Sequence, residues 1–393
     1  MSKGGESMKE GWKMVKLGEV CDICLGLTHT PKYVDKGIPF ISVKDISQGE
    51  LNLNNTKRIS EDEFTNMPDG AKPRKGDVLF CRVGTIGKPQ VLKLDEPFGI
   101  FVSVGFLRTK TNSLNTYLRH WMDSNLFMSQ VEKNVQGSTL KNLNTGWLKN
   151  FTLPLPPLEE QHRIVSILDA SFEKIDALKK NAEENLKNAK ALFQQVLAQE
   201  LQPKEGWETK RLDEITTFYN GKAHEQCIDE NGEYILVNSK YISSDTKIGK
   251  RTSNQLFPLY KDDIVMVMSD VPNGKALAKC LIIPTNGTHS LNQRICAFRN
   301  SKINVRLLYY LINRNPYLLS FNNGENQTNL RKNDILKMQL SYPTNEAEVI
   351  YVLKRLDEQI YLINALIENK EKTICECDAL KQSILRQAFS GEL

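Results

Sequence analysis

Residues 153–169 read LPLPPLEEQHRIVSILD, and the character of the chain changes within this stretch. The prolines prevent a helix on the upstream side. From Leu158 to Leu201 apolar residues recur every seven positions, a pattern typical of a helix in a coiled coil. We therefore predict one long helix over residues 158–202, ended by Pro203. Its predicted seam, which only Lys179 interrupts, consists of Val165, Leu168, Phe172, Ile175, Leu186, Phe193 and Val196.

A second heptad stretch, residues 344–393, follows Pro343 and ends near Gly391. Its sequence matches the first stretch at a constant spacing of 188 residues, as Leu178 and Leu366 illustrate. A heptad helix cannot bury its apolar stripe alone, so we expect the two helices to pair as a coiled coil within one chain. The second predicted seam consists of Leu353, Leu356, Ile360, Ile363, Ile367, Ile374 and Ile384.

The regions before the two helices, residues 1–157 and 203–343, also resemble each other. Trp12, Leu17, Glu19 and Gly26 recur 195 residues later as Trp207, Leu212, Glu214 and Gly221, and Lys75 and Asp77 recur as Lys261 and Asp263. The chain is therefore one unit written twice. Short alternating runs predict strands, and one helical stretch follows in each copy, so we predict a mixed α/β (α+β) fold. The strands are predicted at 38–43, 77–83, 233–239 and 263–269, and the helices at 116–131 and at 305–320, the latter interrupted by Pro316.

Composition and charge exclude several classes of protein. The 393 residues are 40% hydrophobic and 25% charged, which argues against disorder and fibrous repeats. We expect a cytoplasmic protein with reduced thiols, because no stretch is apolar enough for a membrane span or signal peptide. The net charge of +5 is unevenly placed: each globular region carries +5, and the two helices carry −2 and −3. Basic modules suit a nucleic-acid backbone.

The sequence lacks the usual catalytic and metal-binding motifs. It has no Gly-x-Gly-x-x-Gly loop and no Asn/Asp-Pro-Pro-aromatic motif for base methylation. In GTIGK (84–88) the lysine is followed by proline, so we predict a strand-turn-strand there and no phosphate loop. Cys21-x-x-Cys24 has no second ligand pair at a spacing suited to zinc, and the second copy has Thr216 and Tyr219 instead. We expect neither catalytic nor metal-ligating residues.

Four stretches carry a family resemblance: WKMVKLGEV (12–20), KGDVLFCRVGTIGK (75–88), LPLPPLEEQHRIVSILD (153–169) and LKQSILRQAFSGEL (380–393). Through them the chain resembles, over essentially its whole length, the specificity subunit of type I restriction-modification systems. The second copy departs from this pattern at the helix entry, where SYPTNEAEV (341–349) replaces the proline-rich hinge.

The resemblance implies two target recognition domains, 1–157 and 203–343, joined by spacer helices 158–202 and 344–393 that form an antiparallel coiled coil with pseudo-two-fold symmetry. It further implies that each domain reads one half of a bipartite, asymmetric site on double-stranded DNA. By the same resemblance, the subunit is non-catalytic and holds no cofactor. The resemblance also implies partners: two modification subunits that methylate adenine with S-adenosylmethionine, and restriction subunits that use ATP and Mg²⁺ to cut DNA.

Candidate DNA contacts are Lys, Arg, Asn and Gln side chains in predicted loops, where they can donate hydrogen bonds to phosphates or base edges. Lys75 and Lys88 recur as Lys261 and Lys275, which favours backbone positioning over base readout at these places. Two alternatives stay open: a coiled-coil scaffold that does not bind DNA, and the recognition subunit of a type II enzyme. The candidates are Lys44, Arg74, Lys75, Arg82, Lys88, Gln90, Lys141, Asn142 and Asn144 in the first domain, and Lys240, Asn273, Lys275, Asn292, Gln293, Arg294, Gln327, Arg331 and Lys332 in the second.

Overall fold

The computed structural model describes residues 9–47, 51, 53–111, 114–134, 142–271, 274, 276–322, 324 and 327–393. The chain divides into two compact units: residues 1–185 with 369–393, and residues 186–368. Each unit combines one globular domain with part of both long helices. The boundary therefore falls within the helices, whereas the sequence predicts the helices as segments separate from the globular domains. In the described ranges no helix is both long and apolar enough to cross a membrane.

The first globular domain is a mixture of short strands and helices. Its strands are β1 (Lys13–Lys16), β2 (Cys21–Leu25), β3 (Tyr33–Val34), β4 (Ile38–Ile41), β5 (Lys57–Ile59), β6 (Val78–Cys81), β7 (Gly87–Val91), β8 (Gly99–Ile100), β9 (Val104–Thr109) and β10 (Thr152–Leu155). Its helices are α1 (Leu17–Val20), α2 (Val43–Ile46), α3 (Glu61–Asn66), α4 (Leu114–Met122), α5 (Asn125–Asn134) and α6 (Thr145–Leu148), with a 3₁₀ turn at Asp69–Ala71.

Two four-stranded sheets form the framework of this domain. One is antiparallel, in the order β2-β9-β6-β7; the other has the order β3-β5-β4-β8, in which β4 and β8 run parallel. A separate pair, β1 with β10, joins the start of the domain to the segment that enters the long helix. Phe80 of the first sheet and Trp121 of α4 are fully buried in the main core.

The second globular domain repeats this plan. Its strands are β11 (Glu208–Arg211), β12 (Thr217–Asn220), β13 (Tyr234–Val237), β14 (Lys250–Thr252), β15 (Ile264–Val267), β16 (Ser269–Asp270), β17 (Cys280–Ile282), β18 (His289–Leu291), β19 (Ile295–Arg299), β20 (Thr328–Asn329) and β21 (Gln339–Tyr342). Its helices are α8 (Leu212–Ile215), α9 (Ser239–Ser243), α10 (Val305–Ile312), α11 (Pro316–Leu319) and α12 (Lys332–Leu336), with a 3₁₀ turn at Glu225–Cys227.

The sheets of the second domain correspond to those of the first. The order β12-β19-β15-β17 matches β2-β9-β6-β7, the parallel pair β13 and β18 matches β4 and β8, and β11 pairs with β21 as β1 does with β10. The second domain also contains an antiparallel pair of short strands, β16 with β20. The mixed α/β (α+β) fold written twice is therefore confirmed.

The predicted helix 116–131 is wrong in one respect: the structure has two helices, α4 and α5, which meet at Asp123 and Ser124. The Ser124 hydroxyl donates to the Trp121 carbonyl at 2.6 Å and accepts weakly from the Phe127 amide at 3.5 Å. A serine in this position ends one helix and caps the next. In the second domain the predicted interruption at Pro316 is confirmed, because α11 begins there.

The repeated residues of the sequence have structural roles that explain their recurrence. Glu19 accepts a hydrogen bond from the Lys16 amide at 3.3 Å, and Glu214 accepts one from the Arg211 amide at 2.8 Å, so each carboxylate caps a short helix. Gly26 packs so tightly that a Cβ would lie 2.2 Å from the Ile100 carbonyl oxygen. A Cβ on Gly221 would lie 2.0 Å from the carbonyl oxygen of Asn292.

The long helices are α7 (Leu158–Glu200) and α13 (Glu346–Ser390). Every predicted seam residue on them is buried or half-buried. In the first unit, Lys179 donates to Asp378 at 2.7 Å, and Lys381 pairs with Asp176. Residue numbers that rise along α7 thus fall along α13, so the helices pair antiparallel as expected.

The two helices are also in contact in the second unit, where Arg355 donates to Glu200 at 2.9 Å. Gly391 follows α13 with φ +83°, a left-handed conformation that favours glycine and ends the helix there as predicted.

Candidate nucleic-acid interface

In the first domain, four chain segments meet where β4, β6 and β8 end. Because β4 and β8 run parallel, the residues that follow both strands lie at the same sheet edge. Ser103 joins the segments: its hydroxyl accepts from the Val43 amide at 3.2 Å, and its carbonyl accepts from the Arg82 amide at 2.9 Å. The Arg82 carbonyl in turn accepts from the Leu143 amide at 3.0 Å. We call residues 42–44, 82–83, 101–103 and 142–144 the strand-end surface of the first domain.

The second domain builds the same surface from corresponding segments. The Asn292 amide donates to the Val237 carbonyl at 3.1 Å, which brings the ends of β13 and β18 together. The Met268 amide donates to the Arg294 carbonyl at 3.1 Å, and the Met268 carbonyl accepts from the Leu330 amide at 2.7 Å. Residues 238–240, 268–270, 292–294 and 327–331 form the strand-end surface of the second domain.

Several predicted contacts of the first domain lie on or beside this surface. Lys44 and Asn142 are exposed on it, and Asn144 caps α6 by accepting from the Gly146 amide at 2.8 Å. Lys88 is exposed at the start of β7, next to the end of β6, because Cys81 and Gly87 are paired residues.

Arg82 is on the surface but is held by the protein. Its Nε donates to the Leu143 carbonyl at 2.8 Å and its Nη1 to the Val102 carbonyl at 3.1 Å. Partial burial also lowers the pKa of its guanidinium from the ordinary value. These contacts favour a structural role for Arg82. Gln90 is likewise half-buried, with a long 3.4 Å hydrogen bond to the Ile46 carbonyl.

Arg74 and Lys75 are separated from the other candidates. They precede β6, whereas the strand-end surface follows it, so the length of the strand lies between them. Both side chains are exposed and face carboxylates: Arg74 lies 3.8 Å from Asp69, and Lys75 lies 2.7 Å from Asp95. Lys261 precedes β15 in the same way.

In the second domain six predicted residues fall on the strand-end surface. Lys332 is the next residue along, with its ammonium 5.5 Å from the centre of the Phe218 ring. Lys141, Asn273 and Lys275 lie outside the described residues. The six residues on the surface are Lys240, Asn292, Gln293, Arg294, Gln327 and Arg331.

These side chains differ in how the protein engages them. Gln293 Nε2 donates to Glu225 at 2.5 Å, and Gln327 Nε2 donates to the Ser269 hydroxyl at 2.7 Å. In the portions of the chain that the structure describes, no hydrogen bond or ion pair engages the exposed side chains of Lys240, Arg294 and Arg331. Unpaired cations on one surface attract phosphates and can donate to base edges.

Two features of this surface escaped the sequence analysis. Lys44 and Lys240 are equivalent, since each is the second residue of a short helix after a corresponding strand. The signal is present as SVKDI (42–46) and NSKYI (238–242), whose lysines are 196 residues apart (240 − 44), whereas Trp12 to Gly26 recur at 195. Lys222 is also exposed here, and its amide donates to the Leu291 carbonyl at 3.1 Å.

The other motifs are structural. GTIGK joins β6 to β7, which confirms the predicted strand-turn-strand, and Gly87 has φ +93°. Cys21 and Cys24 lie on β2 three residues apart, so their side chains leave opposite faces of the strand. Burial raises the pKa of the Cys21 thiol to about 12. Over the described residues, no group of three or more His, Cys, Asp or Glu side chains could hold a metal ion.

The paired helices also present leucines to solvent. Leu178 and Leu380 in the first unit, and Leu192 and Leu366 in the second, are 40–52% exposed. The antiparallel register places the two members of each pair at the same level. At 100° per residue, Leu178 lies on the opposite side of the α7 seam from Asp176, and Leu380 lies on the opposite side of the α13 seam from Asp378.

Comparison with known proteins gives a consistent family. The model of the type I restriction modification DNA specificity domain matches residues 9–188 and 204–372. The specificity subunit of the type I restriction enzyme StySPI from Salmonella potsdam is 24% identical over all of this chain and 91% of its own length. The specificity subunit of the type I restriction enzyme EcoBI from Escherichia coli is 26% identical over 63% of this chain. The matched region spans about half (51%) of the length of the EcoBI subunit.

The same fold occurs in a solved structure that was reported as the structural basis underlying complex assembly and conformational transition of the type I R-M system. It matches 99% of this chain and 100% of its own, with a TM-score of 0.76 and 20% identity. The two matched segments coincide with the two copies found in the sequence. The chain belongs to the family of type I restriction-modification DNA specificity domains.

Proposed function

We propose that this chain is the DNA-recognition subunit of a type I restriction-modification complex, and that each strand-end surface reads one half of a bipartite, asymmetric target. The observation that carries the proposal is one surface built twice on equivalent strand ends with different side chains. The equivalent lysines Lys44 and Lys240 suit phosphate contacts common to both half-sites. The side chains that differ suit base readout, since two copies that read different sequences must differ there.

The paired helices are proposed to set the distance between the half-sites. A helix of 43 residues such as α7 is about 65 Å long at 1.5 Å per residue. The continuous apolar seam and the cross-helix ion pairs support a stiff element. Spacing between half-sites is then a property of helix length, separate from the sequence that each domain reads.

The exposed leucine pairs are proposed to dock two modification subunits. Leu178 with Leu380 and Leu192 with Leu366 are equivalent under the internal repeat, so the chain offers the same apolar site once in each unit. Exposed apolar groups on a paired helix suit a partner helix. Adenine methylation with S-adenosylmethionine, and cleavage driven by ATP with Mg²⁺ in restriction subunits, then belong to the partners. We propose that this subunit itself is non-catalytic, and the cytoplasmic location stays a prediction.

Methylation mapping tests the proposed function. The chain would be co-expressed with its modification subunit, and methylated adenines would be located across the host genome. One split, asymmetric motif is expected, with an unread segment of fixed length. A continuous motif or none would refute the proposal, and the absence of DNA binding by the complex would favour the scaffold alternative.

Salt dependence provides a second measurement on the same complex. Affinity for the mapped site should fall steeply between 50 and 200 mM salt, by on the order of 10³-fold if six or more phosphates are neutralised. The double variant Lys44→Ala with Lys240→Ala should reduce the slope of log affinity against log salt by about 2. Lys75→Ala with Lys261→Ala, at the opposite strand ends, should leave it unchanged.

A further inference from the structure

A three-residue turn at each strand-end surface has the same backbone connections in both domains. The turns are residues 101–103 and 292–294, and five equivalent amide-to-carbonyl hydrogen bonds hold each. In the first domain these run from Phe101 to Ile41 (2.8 Å), Val104 to Phe101 (2.8 Å), Arg82 to Ser103 (2.9 Å), Gly26 to Val104 (3.3 Å) and Leu27 to Ile100 (2.9 Å). In the second they run from Asn292 to Val237, Ile295 to Asn292, Met268 to Arg294, Gly221 to Ile295 and Lys222 to Leu291, each 3.1 Å.

The side chains on the two turns differ in chemistry. The first turn reads Phe-Val-Ser, with Phe101 and Val102 half-buried and Ser103 buried. The second reads Asn-Gln-Arg, with Gln293 and Arg294 exposed. The same backbone scaffold therefore presents apolar groups in one domain and hydrogen-bond donors in the other.

Arg294 combines a fixed backbone with an unengaged side chain. Its carbonyl is held by the Met268 amide, and its neighbours Gln293 and Asn292 are themselves tied down: Gln293 binds Glu225, and Asn292 Oδ1 accepts from the Gln293 amide at 2.8 Å. Within the described ranges the Arg294 guanidinium has no protein partner. In contrast, two carbonyls occupy the Arg82 guanidinium on the first surface.

We propose that turn 292–294 is a base-reading element of the second domain and that Arg294 determines specificity by contacting a guanine. This inference rests on the proposed DNA recognition. An arginine on a fixed backbone can donate two parallel hydrogen bonds to O6 and N7 of guanine, a pattern that no other base offers in the major groove. Loss of such a bidentate contact reduces discrimination against the wrong base by roughly 10- to 100-fold. Turn 101–103 carries no comparable donor, so the half-site read by the first domain is independent of Arg294.

The test compares three variants in the complete complex with the modification subunit. Arg294→Ala removes the donors, Arg294→Lys keeps the charge without the planar fork, and Lys261→Ala removes an exposed cation at the other end of β15. Methylation mapping gives each motif. Binding is then measured at low salt, where weak complexes remain measurable. The affinity for the mapped site is compared with the affinities for sites in which each guanine of one half-site is replaced in turn, and the ratio gives the discrimination against the wrong base.

The wild type should discriminate roughly 10- to 100-fold at one guanine of the half-site that the second domain reads. Arg294→Ala should lose that preference, Arg294→Lys should weaken it, and the other half-site and the spacer should stay unchanged. Lys261→Ala should retain the wild-type motif. The inference would be overturned if Arg294→Ala lost affinity equally for every site or kept the wild-type discrimination. It would also be overturned if the half-site that the second domain reads contained no guanine. If the wild-type complex methylated no split motif, the proposed function itself would fail.

Discussion

Asp77 and Arg108 form a two-point ion pair in the first domain, with Nη2 to Oδ2 at 2.7 Å and Nε to Oδ1 at 3.1 Å. The Asp77 side chain is 5% exposed, and it also accepts from the Arg74 amide at 2.8 Å. Hydrogen bonding to the carboxylate raises the pKa of the Arg108 guanidinium above its ordinary value. Asp263 and Arg299 repeat the arrangement at 2.7 and 2.9 Å.

Asp77→Asn should therefore destabilise the protein strongly, because it leaves the partly buried Arg108 without a counter-charge. Removing one partner of a buried pair costs about 3–5 kcal/mol. Urea unfolding followed by circular dichroism measures the change. Asp95→Asn, which removes the exposed partner of Lys75, is the matched control and should cost less than about 1 kcal/mol. Equal costs for both variants would contradict a structural role for the buried pair.

Gly221→Ala should disturb the turn at residue 292 directly. A Cβ there would lie 2.0 Å from the Asn292 carbonyl oxygen, and its three nearest neighbours are all backbone atoms of Leu291 and Asn292, which cannot move aside as a flexible side chain could. The expected cost is about 1–3 kcal/mol or more, with loss of readout of one half-site. Thermal unfolding and methylation mapping measure both effects. Gly70→Ala is the control, since a Cβ at Gly70 meets nothing within 4 Å; a well-folded Gly221→Ala with the wild-type motif would argue against the turn.

His120 should make the first unit less stable in mild acid. It is fully buried, with Nε2 2.8 Å from Asp169 Oδ1, and it faces Arg119 and Lys381. Burial first, and then these cations, lower the pKa of its imidazole to about 4. In the unfolded chain, His120 binds a proton near pH 6.5. The contribution of the neutral, buried imidazole to the free energy of unfolding is therefore fully present above about pH 6.5. It is lost as the pH falls from about 6.5 toward 4, at about 1.4 kcal/mol per pH unit.

Urea unfolding at pH 7.5 and pH 5 would check this expectation. His120→Asn should lower stability at pH 7.5 by lost packing, yet show a smaller decrease between the two pH values than the wild type. A pH dependence identical to that of the wild type would show that His120 does not carry the effect.

Seven residues inserted in register into both helices should lengthen the unread spacer and nothing else. The ion pairs Asp176–Lys381 and Lys179–Asp378 place Ala182 level with Cys375, so insertions after Ala182 and after Ile374 fall at the same level and keep the seams aligned. The helices grow by about 10 Å, roughly three base pairs. Methylation mapping reads the spacer. An insertion in α7 alone is the control and should abolish the motif, whereas changed half-sites in the double insertion would contradict the proposed division of labour.

Charged residues at one leucine pair should remove one modification subunit from the complex. Leu178→Glu with Leu380→Glu is expected to reduce the modification subunits per specificity subunit from two to one, because burying a carboxylate in an apolar interface is costly. Native mass spectrometry gives the stoichiometry. Lys180→Glu with Lys372→Glu is the control at exposed positions on other faces of the two helices. A complex of unchanged composition in the leucine variant would place the docking site elsewhere.

The sequence predicted the architecture well, because heptad spacing and repeated residues report local geometry directly. Leu168 and Leu356 are fully buried where the seams require them. The break between α4 and α5 was missed, because the apolar periodicity continues across it while Ser124 alone ends the helix. The candidate surface was only partly predictable. Arg74 and Arg82 are eight residues apart in the sequence, yet strand β6 separates them, and whether a guanidinium is free or held by carbonyls depends on residues distant in the chain.

The turns at 101–103 and 292–294 have a consequence for how new specificities can arise. All five hydrogen bonds that hold each turn join backbone atoms, so the turn keeps its shape whichever exposed side chain it carries. Substitutions at Arg294, whose side chain has no protein partner within the described ranges, can therefore change what is recognised at little cost in folding free energy. Divergence of the two half-sites after duplication would require few compensating changes in the domain, since stability resides in the main chain and recognition in the side chains.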